Sequence, residues 1–444
     1  MRFLLIVLVS FMTLGSVFDF DPGPAPGLKI KNALLYLIVL LLLLRLTIDR
    51  SYRIQLPVIP AIFGVLIGYS ILTYVGLWLF QPILHYDFIT NGMLLKSSLI
   101  DQMLFFLVFF YALRSDADAV LLLKTLLVAC ALSHAMALLD AVGIAHFGDI
   151  EQKYDGRVQG MIGEPNQYGA FVAMTLPAIG SMILCTRGFW RLFWLGATAV
   201  TALTLVMTVS RGAFVGTVLA TLIGMFLFRR YVPTRKLVML GGGFIGCAML
   251  AIAITFALGF EQLILHRLLG GAHTGGDLEG VSSGRLAVWA NALSVMWEKP
   301  LTLVTGYGWS AYLAMPFRLA THNHYLAHWF NLGVIGVTCA VLLLVTPVRI
   351  ARRAALVASP DVRPLLIGFV VATLAVTIAV FFVDLYSPWH YYWCYAGAMM
   401  RIAVNQTERV PVPVVAAPGA RAVSGKQRDA HGWTTVASRG SLSR

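Results

Sequence analysis

The chain has 444 residues, 59% of them hydrophobic and only 12% charged, with a net charge of +13. Soluble domains carry about a quarter of their residues as charges, so this composition excludes a water-soluble fold and predicts an all-α, polytopic helical membrane protein. In a soluble protein the basic excess would indicate nucleic acid. Here its placement along the chain assigns it to membrane topology, and no nucleic-acid partner is expected.

Apolar stretches near 20 residues long predict about twelve transmembrane helices, at 2–18, 28–46, 57–80, 99–113, 118–144, 164–186, 190–209, 212–228, 237–259, 322–347, 364–383 and 389–404. The first follows Arg2 but leads to no small-residue cleavage site at Phe18–Asp19–Phe20–Asp21–Pro22, so it is expected to be retained. With both termini placed in the cytoplasm, the inner segments hold Arg2, Arg45, Arg50, Arg53, Arg114, Arg187, Arg191, Arg229, Arg230, Arg235, Lys236, Arg349, Arg352, Arg353, Arg363 and Arg401. With the basic residues of the tail these are most of the 33 Lys and Arg, as the positive-inside rule requires.

Residues 1–405 read as one membrane domain and 406–444 as a disordered cytoplasmic tail. The one larger external loop, about 260–321, begins with the flexible run Gly270–Asp277 and continues into an amphipathic helix, with Leu286, Trp289, Leu293 and Met296 on one face. Lys124 and His134 are mid-span exceptions to an otherwise external distribution of polar groups. Tyr386, Trp389, Tyr391, Tyr392 and Trp393 read as an interfacial belt, with Asp384 beside it as a partner for an outer arginine. The five cysteines, in or at the ends of spans and without a C-x-x-C pair, predict neither disulfides nor a thiol-ligated metal.

Three polar segments lie at the external level. In 156–168, Pro165 suits the first turn of a helix, and Arg157, Glu164 and Asn166 surround that helix end. They read either as an anion site or as a solvated arginine beside a helix-start carboxylate. In Ser210–Arg211–Gly212, an arginine sits between two apolar spans with almost no loop, where it meets an anion or snorkels to headgroups.

Arg285 opens the amphipathic helix, and Arg211 with Arg285 would bracket a diphosphate; Arg267 and Arg318 are secondary candidates from the same loop. In 321–333, His322 is a candidate proton acceptor, with Asn323, His324 and Tyr325 as substrate contacts or, alternatively, as capping and interface groups. His324 and His328 share a helix face as zinc-binding pairs do, but no glutamate lies between them and no third ligand is evident, so no metal is expected.

The order of these segments resembles the O-antigen ligase and polymerase superfamily over most of the membrane portion. The matching pieces are Pro22–Gly23–Pro24 before a Leu-rich span, Gly160 to Tyr168, Ser210–Arg211–Gly212, Gly284–Arg285 with Trp289, Pro300 with Gly306–Tyr307–Gly308, and His322–Asn323 with Tyr325–Leu326. The resemblance implies a bacterial inner-membrane glycosyltransferase with a periplasmic active side. It would move a glycan from an undecaprenyl-diphosphate donor to an acceptor hydroxyl by an inverting, metal-independent transfer without a cofactor.

By the same resemblance Arg211 and Arg285 match the family's outward arginines and His322 its loop-proximal histidine. Glu164, where the family often has a non-acidic residue, is the second candidate base, and this chain has three histidines where one is usual. The acceptor is lipid A–core for a ligase, or a second lipid-linked glycan for a polymerase. A rival of another class, a lipid-glycan transporter, would place ionisable residues along a path through the bundle.

Overall fold

The computed structural model describes residues 1–17, 29–49, 58–80, 83, 86–147, 157–231, 246, 249–250, 252–257, 259, 284–315 and 320–409. Among them it is helical throughout, without strands, and it is an all-α polytopic membrane protein. The helices are α1 (Arg2–Val17), α2 (Ile30–Ile48), α3 (Val58–Phe80), α4 (Phe88–Tyr111), α5 (Asp116–Ala141), α6 (Pro165–Cys185), α7 (Gly188–Met207) and α8 (Arg211–Phe228), followed by α9 (Arg285–Glu298), α10 (Leu301–Thr305), α11 (His324–Val357), α12 (Arg363–Ala379) and α13 (Pro388–Glu408). Eight of these are long and apolar enough to cross a membrane. The expected span at 237–259, the glycine-rich run Gly270–Asp277 and the tail from 410 fall largely or wholly outside the described residues.

Ion pairs and hydrogen bonds give the bundle two distinct ends. At one end Arg2 pairs with Asp118, Arg114 with Asp49, and Arg409 with Asp116, while Gln406 holds both Asp116 and the Ser359 N–H. At the other end Arg157, Glu164, Ser210, Thr321 and Asp384 meet through the contacts described below. Arg157, Glu164, Ser210, Thr321 and Asp384 thus lie at the end of the bundle away from these three ion pairs.

Three expectations need correction. The fourth span begins eleven residues earlier than 99. The earlier start takes Lys96 into the helix, where a π turn over Lys96–Ile100 brings its Nζ 3.1 Å from Asp101, and Tyr36 donates to the same carboxylate at 2.7 Å. The aromatic group on α13 is not an interfacial belt. Trp389, Tyr391, Tyr392 and Trp393 are buried, since α13 packs against α4, α5 and α11, and only Tyr386 is well exposed. On α9 the inward stripe is centred on Ala292 and Met296, both fully buried, while Leu286 is 43% exposed.

Helix α11 is 34 residues long, about 51 Å, and therefore overshoots a hydrocarbon core of about 30 Å. It is broken at Gly333, whose φ of 59° and ψ of −151° no helix accommodates. The carbonyls of Phe330 and Asn331 on the outer side of the break accept instead from the peptide N–H groups of Tyr307 (2.9 Å) and Gly308 (2.7 Å). The Gly306–Tyr307–Gly308 motif is thus inserted into a broken helix, with Gly306 and Gly333 in backbone-to-backbone contact that no Cβ permits. Trp309 continues the anchorage, its Nε1–H donating to Asn91 O at 2.9 Å and its carbonyl accepting from Tyr86 at 2.6 Å.

A Cβ at position 333 would collide with the Val304 carbonyl as well as straining φ. Gly333→Ala is expected to lower unfolding stability by at least about 2 kcal/mol, from backbone strain and overpacking together. Thermal denaturation in detergent checks this, with Gly64→Ala, which meets open space, as the neutral control.

Candidate functional site

The site forms where four non-helical connections meet at the end of the bundle away from the Arg2–Asp118 pair. The first precedes α6. Gly160, with φ of 48°, packs directly against the ring of Tyr168, whose hydroxyl lies 2.8 Å from His134 Nδ1; Thr175 Oγ1 is 2.9 Å from the other ring nitrogen. This explains the Gly160-to-Tyr168 spacing and makes His134 a core histidine with both nitrogens engaged.

Glu164 is the N-cap of α6. Its Oε1 accepts from the Asn166 N–H (3.1 Å) and Nδ2 (2.8 Å), and its Oε2 from the Gln167 N–H (2.6 Å). Arg157 is buried. Its Nε donates to the Thr208 carbonyl at the end of α7 (2.9 Å), where a cation is favoured, and its Nη2 to Asn166 Oδ1 (3.0 Å). The geometry gives Glu164 and Arg157 the work of building the helix start.

The second connection is the three-residue turn Thr208–Val209–Ser210, with Val209 in the left-handed region at φ 48°. It sets half-buried Arg211 as the first residue of α8. Gly169 on α6 lies against Ser210, and Gly212 lies against Phe382, so the N-termini of α6 and α8 and the 380–387 connection converge around Arg211. Two helix starts pointing the same way add their positive ends to the guanidinium.

The third and fourth connections are 320–323 and 380–387. Thr321 donates to Asp384 Oδ2 at 2.6 Å, and its carbonyl accepts from Trp289 Nε1 at 2.8 Å. His324 N–H donates to Val380 O at 2.9 Å, and the Tyr325 hydroxyl to Thr377 O at 2.8 Å. Asn323 caps α11, its Oδ1 accepting from the N–H groups of Tyr325 and Leu326 at 3.0 Å each. His322 is held between them, half-buried, with φ of 50° in the left-handed region. Arg285 opens α9 and is half-buried; one turn on, Trp289 meets Phe381 edge-on with ring centres 5.5 Å apart. Gly212, next to Arg211, thus packs on Phe382, and Trp289, one turn after Arg285, packs on Phe381.

Asp384 is the residue that sequence reasoning placed wrongly. It makes no ion pair with an arginine among the described residues and takes Thr321 as its partner instead. Burial pushes its carboxyl pKa above the ordinary value, offset in part by the Thr321 hydroxyl, the His322 imidazole and the His322 and Asn323 peptide N–H groups. Its Oδ1 has no hydrogen-bond partner among the described residues. Burial, and then the Asp384 charge, push the Tyr312 hydroxyl up to about 12. Gln167 Oε1 accepts from the Tyr386 N–H at 3.2 Å, tying this connection to the α6 cap.

Beneath these groups lies a cavity of about 130 Å³. Thr321, His324, His328 and Asp384 line its polar part, while Phe63 and Leu343 are among the apolar side chains of the remainder. The rings of His324 and His328 are 4.4 Å apart edge to face, and Trp389 covers His324. Among the described residues no group of three His, Cys, Asp or Glu is arranged to hold a metal ion. Arg267 and Arg318 lie outside the described residues.

Residues 196–341 match the family model described as O-antigen ligase. The matched stretch carries Arg211, Arg285 and His322 to Tyr325, whereas Arg157, Glu164, Asn166 and Asp384 lie outside it. No curated protein sequence matches the chain.

The Asp384 carboxyl, raised on folding, stabilises the fold below its unfolded pKa near 3.8, and this contribution is lost as pH rises through the folded value. Asp384→Asn is therefore expected to flatten the fall of melting temperature as pH rises above the unfolded value near 3.8. An unchanged slope in thermal scans across that window would count against the assignment.

Proposed function

We propose that this member of the O-antigen ligase and polymerase superfamily transfers a glycan from undecaprenyl diphosphate to an acceptor hydroxyl, with lipid A–core as the acceptor. The observation that carries the reading is the convergence of Arg211 and two helix N-termini with the Thr321–His322–Asp384 cluster across the Phe381–Phe382 pair. A dianionic leaving group and a weakly acidic nucleophile need those two kinds of group, at one level of the membrane.

In this mechanism Arg211 and Arg285 bind the diphosphate, and the α6 and α8 N-termini add fixed positive potential. The acceptor oxygen forms a bond to the anomeric carbon as the bond from that carbon to the diphosphate oxygen breaks, on the opposite face, so configuration inverts. Undecaprenyl diphosphate leaves with the bonding pair, and its growing charge is what the guanidinium groups stabilise. The hydroxyl proton passes to the His322 imidazole during attack, because a free alkoxide is inaccessible near neutral pH.

Asp384 faces the His322 turn. It positions that turn through Thr321. Glu164, with both oxygens engaged in the α6 cap, holds the anion-binding helix start and is not the base. Asn323 and Tyr325 fix the register of α11, leaving Asn323 Nδ2 and the two cavity histidines to contact substrate. The active side is periplasmic in the bacterial inner membrane, with the Arg2–Asp118 end in the cytoplasm, as the positive-inside rule orients it.

A transporter would leave its intramembrane ionisable groups along a path. Here His134 is saturated by Tyr168 and Thr175, Lys96 and Asp101 by each other and Tyr36, and Lys124 lies apart from them in a separate cavity between α1, α5 and α7. These contacts favour an enzyme.

The test is transfer from a synthetic undecaprenyl-diphosphate glycan by purified protein in the presence of EDTA, with lipid A–core or a second lipid-linked glycan as acceptor. Arg211→Ala is expected to cost about 10²–10³ in turnover and His322→Ala about 10²–10⁴, while Glu164→Gln, which keeps one of the two cap acceptors, costs far less than either. Product on lipid A–core identifies a ligase, and a lengthened lipid-linked chain a polymerase. Complete loss of activity with EDTA would sink the metal-independent mechanism.

A further inference from the structure

A second cavity, of about 510 Å³, lies between α1, α5 and α7, toward the end of the bundle where Arg2 pairs with Asp118. Its volume is in the range of ligand pockets, roughly 300–1,000 Å³. Two of its lining groups are polar donors without an acceptor. Lys124 sits about 12 Å along α5 from Asp116, and no carboxylate among the described residues lies within ion-pair distance of it. The acids on that end of α5 are committed elsewhere, Asp118 to Arg2 and Ser115, and Asp116 to Asn405, Gln406 and Arg409. Trp194 is fully buried at the cavity wall, and its indole Nε1–H has no hydrogen-bond partner among the described residues.

A membrane-depth ammonium and a buried N–H are both costly unless an acceptor reaches them, and an anion with several oxygens satisfies both. The rest of the wall is apolar and faces outward from the bundle, with Leu132 46% and Trp190 55% exposed. The anion must therefore carry hydrocarbon. Exposed Arg187 and Arg191 flank Trp190 in sequence and favour a net negative headgroup over a zwitterion.

We propose that this cavity is a binding site for an anionic diacyl phospholipid of the leaflet at the Arg2–Asp118 end. The phosphate lies between Lys124 Nζ and Trp194 Nε1, and an acyl chain runs along Leu132. The site is independent of the glycan-transfer centre, which lies at the opposite end of the bundle.

The experiment uses delipidated full-length protein in a neutral detergent, titrated with dioleoyl-phosphatidylglycerol, dioleoyl-phosphatidylcholine or soluble glycerol phosphate, and read by native mass spectrometry and by melting temperature. Phosphatidylglycerol is expected to be retained and to stabilise more than phosphatidylcholine, with glycerol phosphate far weaker. Lys124→Gln should weaken phosphatidylglycerol about fivefold, Lys124→Arg should restore it, and Trp194→Phe should weaken it without removing the apolar wall. Equal retention of the two lipids by the wild-type protein overturns the proposal, as does a phosphatidylglycerol preference that survives Lys124→Gln. Glycerol phosphate binding as tightly as the lipid overturns the acyl part. If Lys124→Gln does not fold, the wild-type lipid comparison and Trp194→Phe still decide.

Discussion

Inside hydrocarbon a peptide group that leaves helical geometry has no water to turn to, so each freed N–H and C=O must find a partner in the protein. This constraint governs the outer end of the bundle. At Gly333 the carbonyls of Phe330 and Asn331 take the N–H groups of Tyr307 and Gly308; before α6, the Val158 N–H reaches Met207 O; after α12, Val380 O takes the His324 N–H. Each repair joins two connections, and together they fix four irregular segments against one another. The candidate site lies among the segments so joined.

Its electrostatics follow from the same arrangement. Helix starts bring positive potential, and the chain places Arg211 and Arg285 at two of them. The one buried acid in the cluster, Asp384, is bonded to a neutral hydroxyl and not to an arginine, so the guanidinium groups are not neutralised by it. Val209, Ser310 and His322, three non-glycine residues with positive φ, all lie in these outer connections or the loop over them. Strain of this kind persists only where surrounding contacts over-determine the backbone, and it is characteristic of preorganised sites.

Much of the fold was legible because apolar length is a direct report of bilayer thickness. Eight of the twelve expected spans coincide with described helices long and apolar enough to cross a membrane. Reading failed where length and polarity diverge. Lys96 lay outside the expected span, but paired with Asp101 beside Tyr36 it sits inside α4, and nothing at Asp101's own position announces a partner 65 residues earlier. The aromatic run on α13 looked interfacial because Tyr and Trp favour that zone, yet it is a central helix whose polar tips find Met12 O and Gln102. In the site, the arginines and His322 stand out by type. Asp384 and the capping role of Glu164 depend on which backbone groups each carboxylate meets, and that is set by tertiary contact.

The repair of α11 also fixes an order of construction. The residues that occupy the break, Tyr307 and Gly308, precede the helix they complete by about one loop, so during synthesis they leave the ribosome first. They must be in place beside 324–333 as α11 forms, because the Phe330 and Asn331 carbonyls take their partners from them. The 301–309 segment is therefore part of what lets α11 form correctly, and its truncation would be felt first as a defect in membrane insertion.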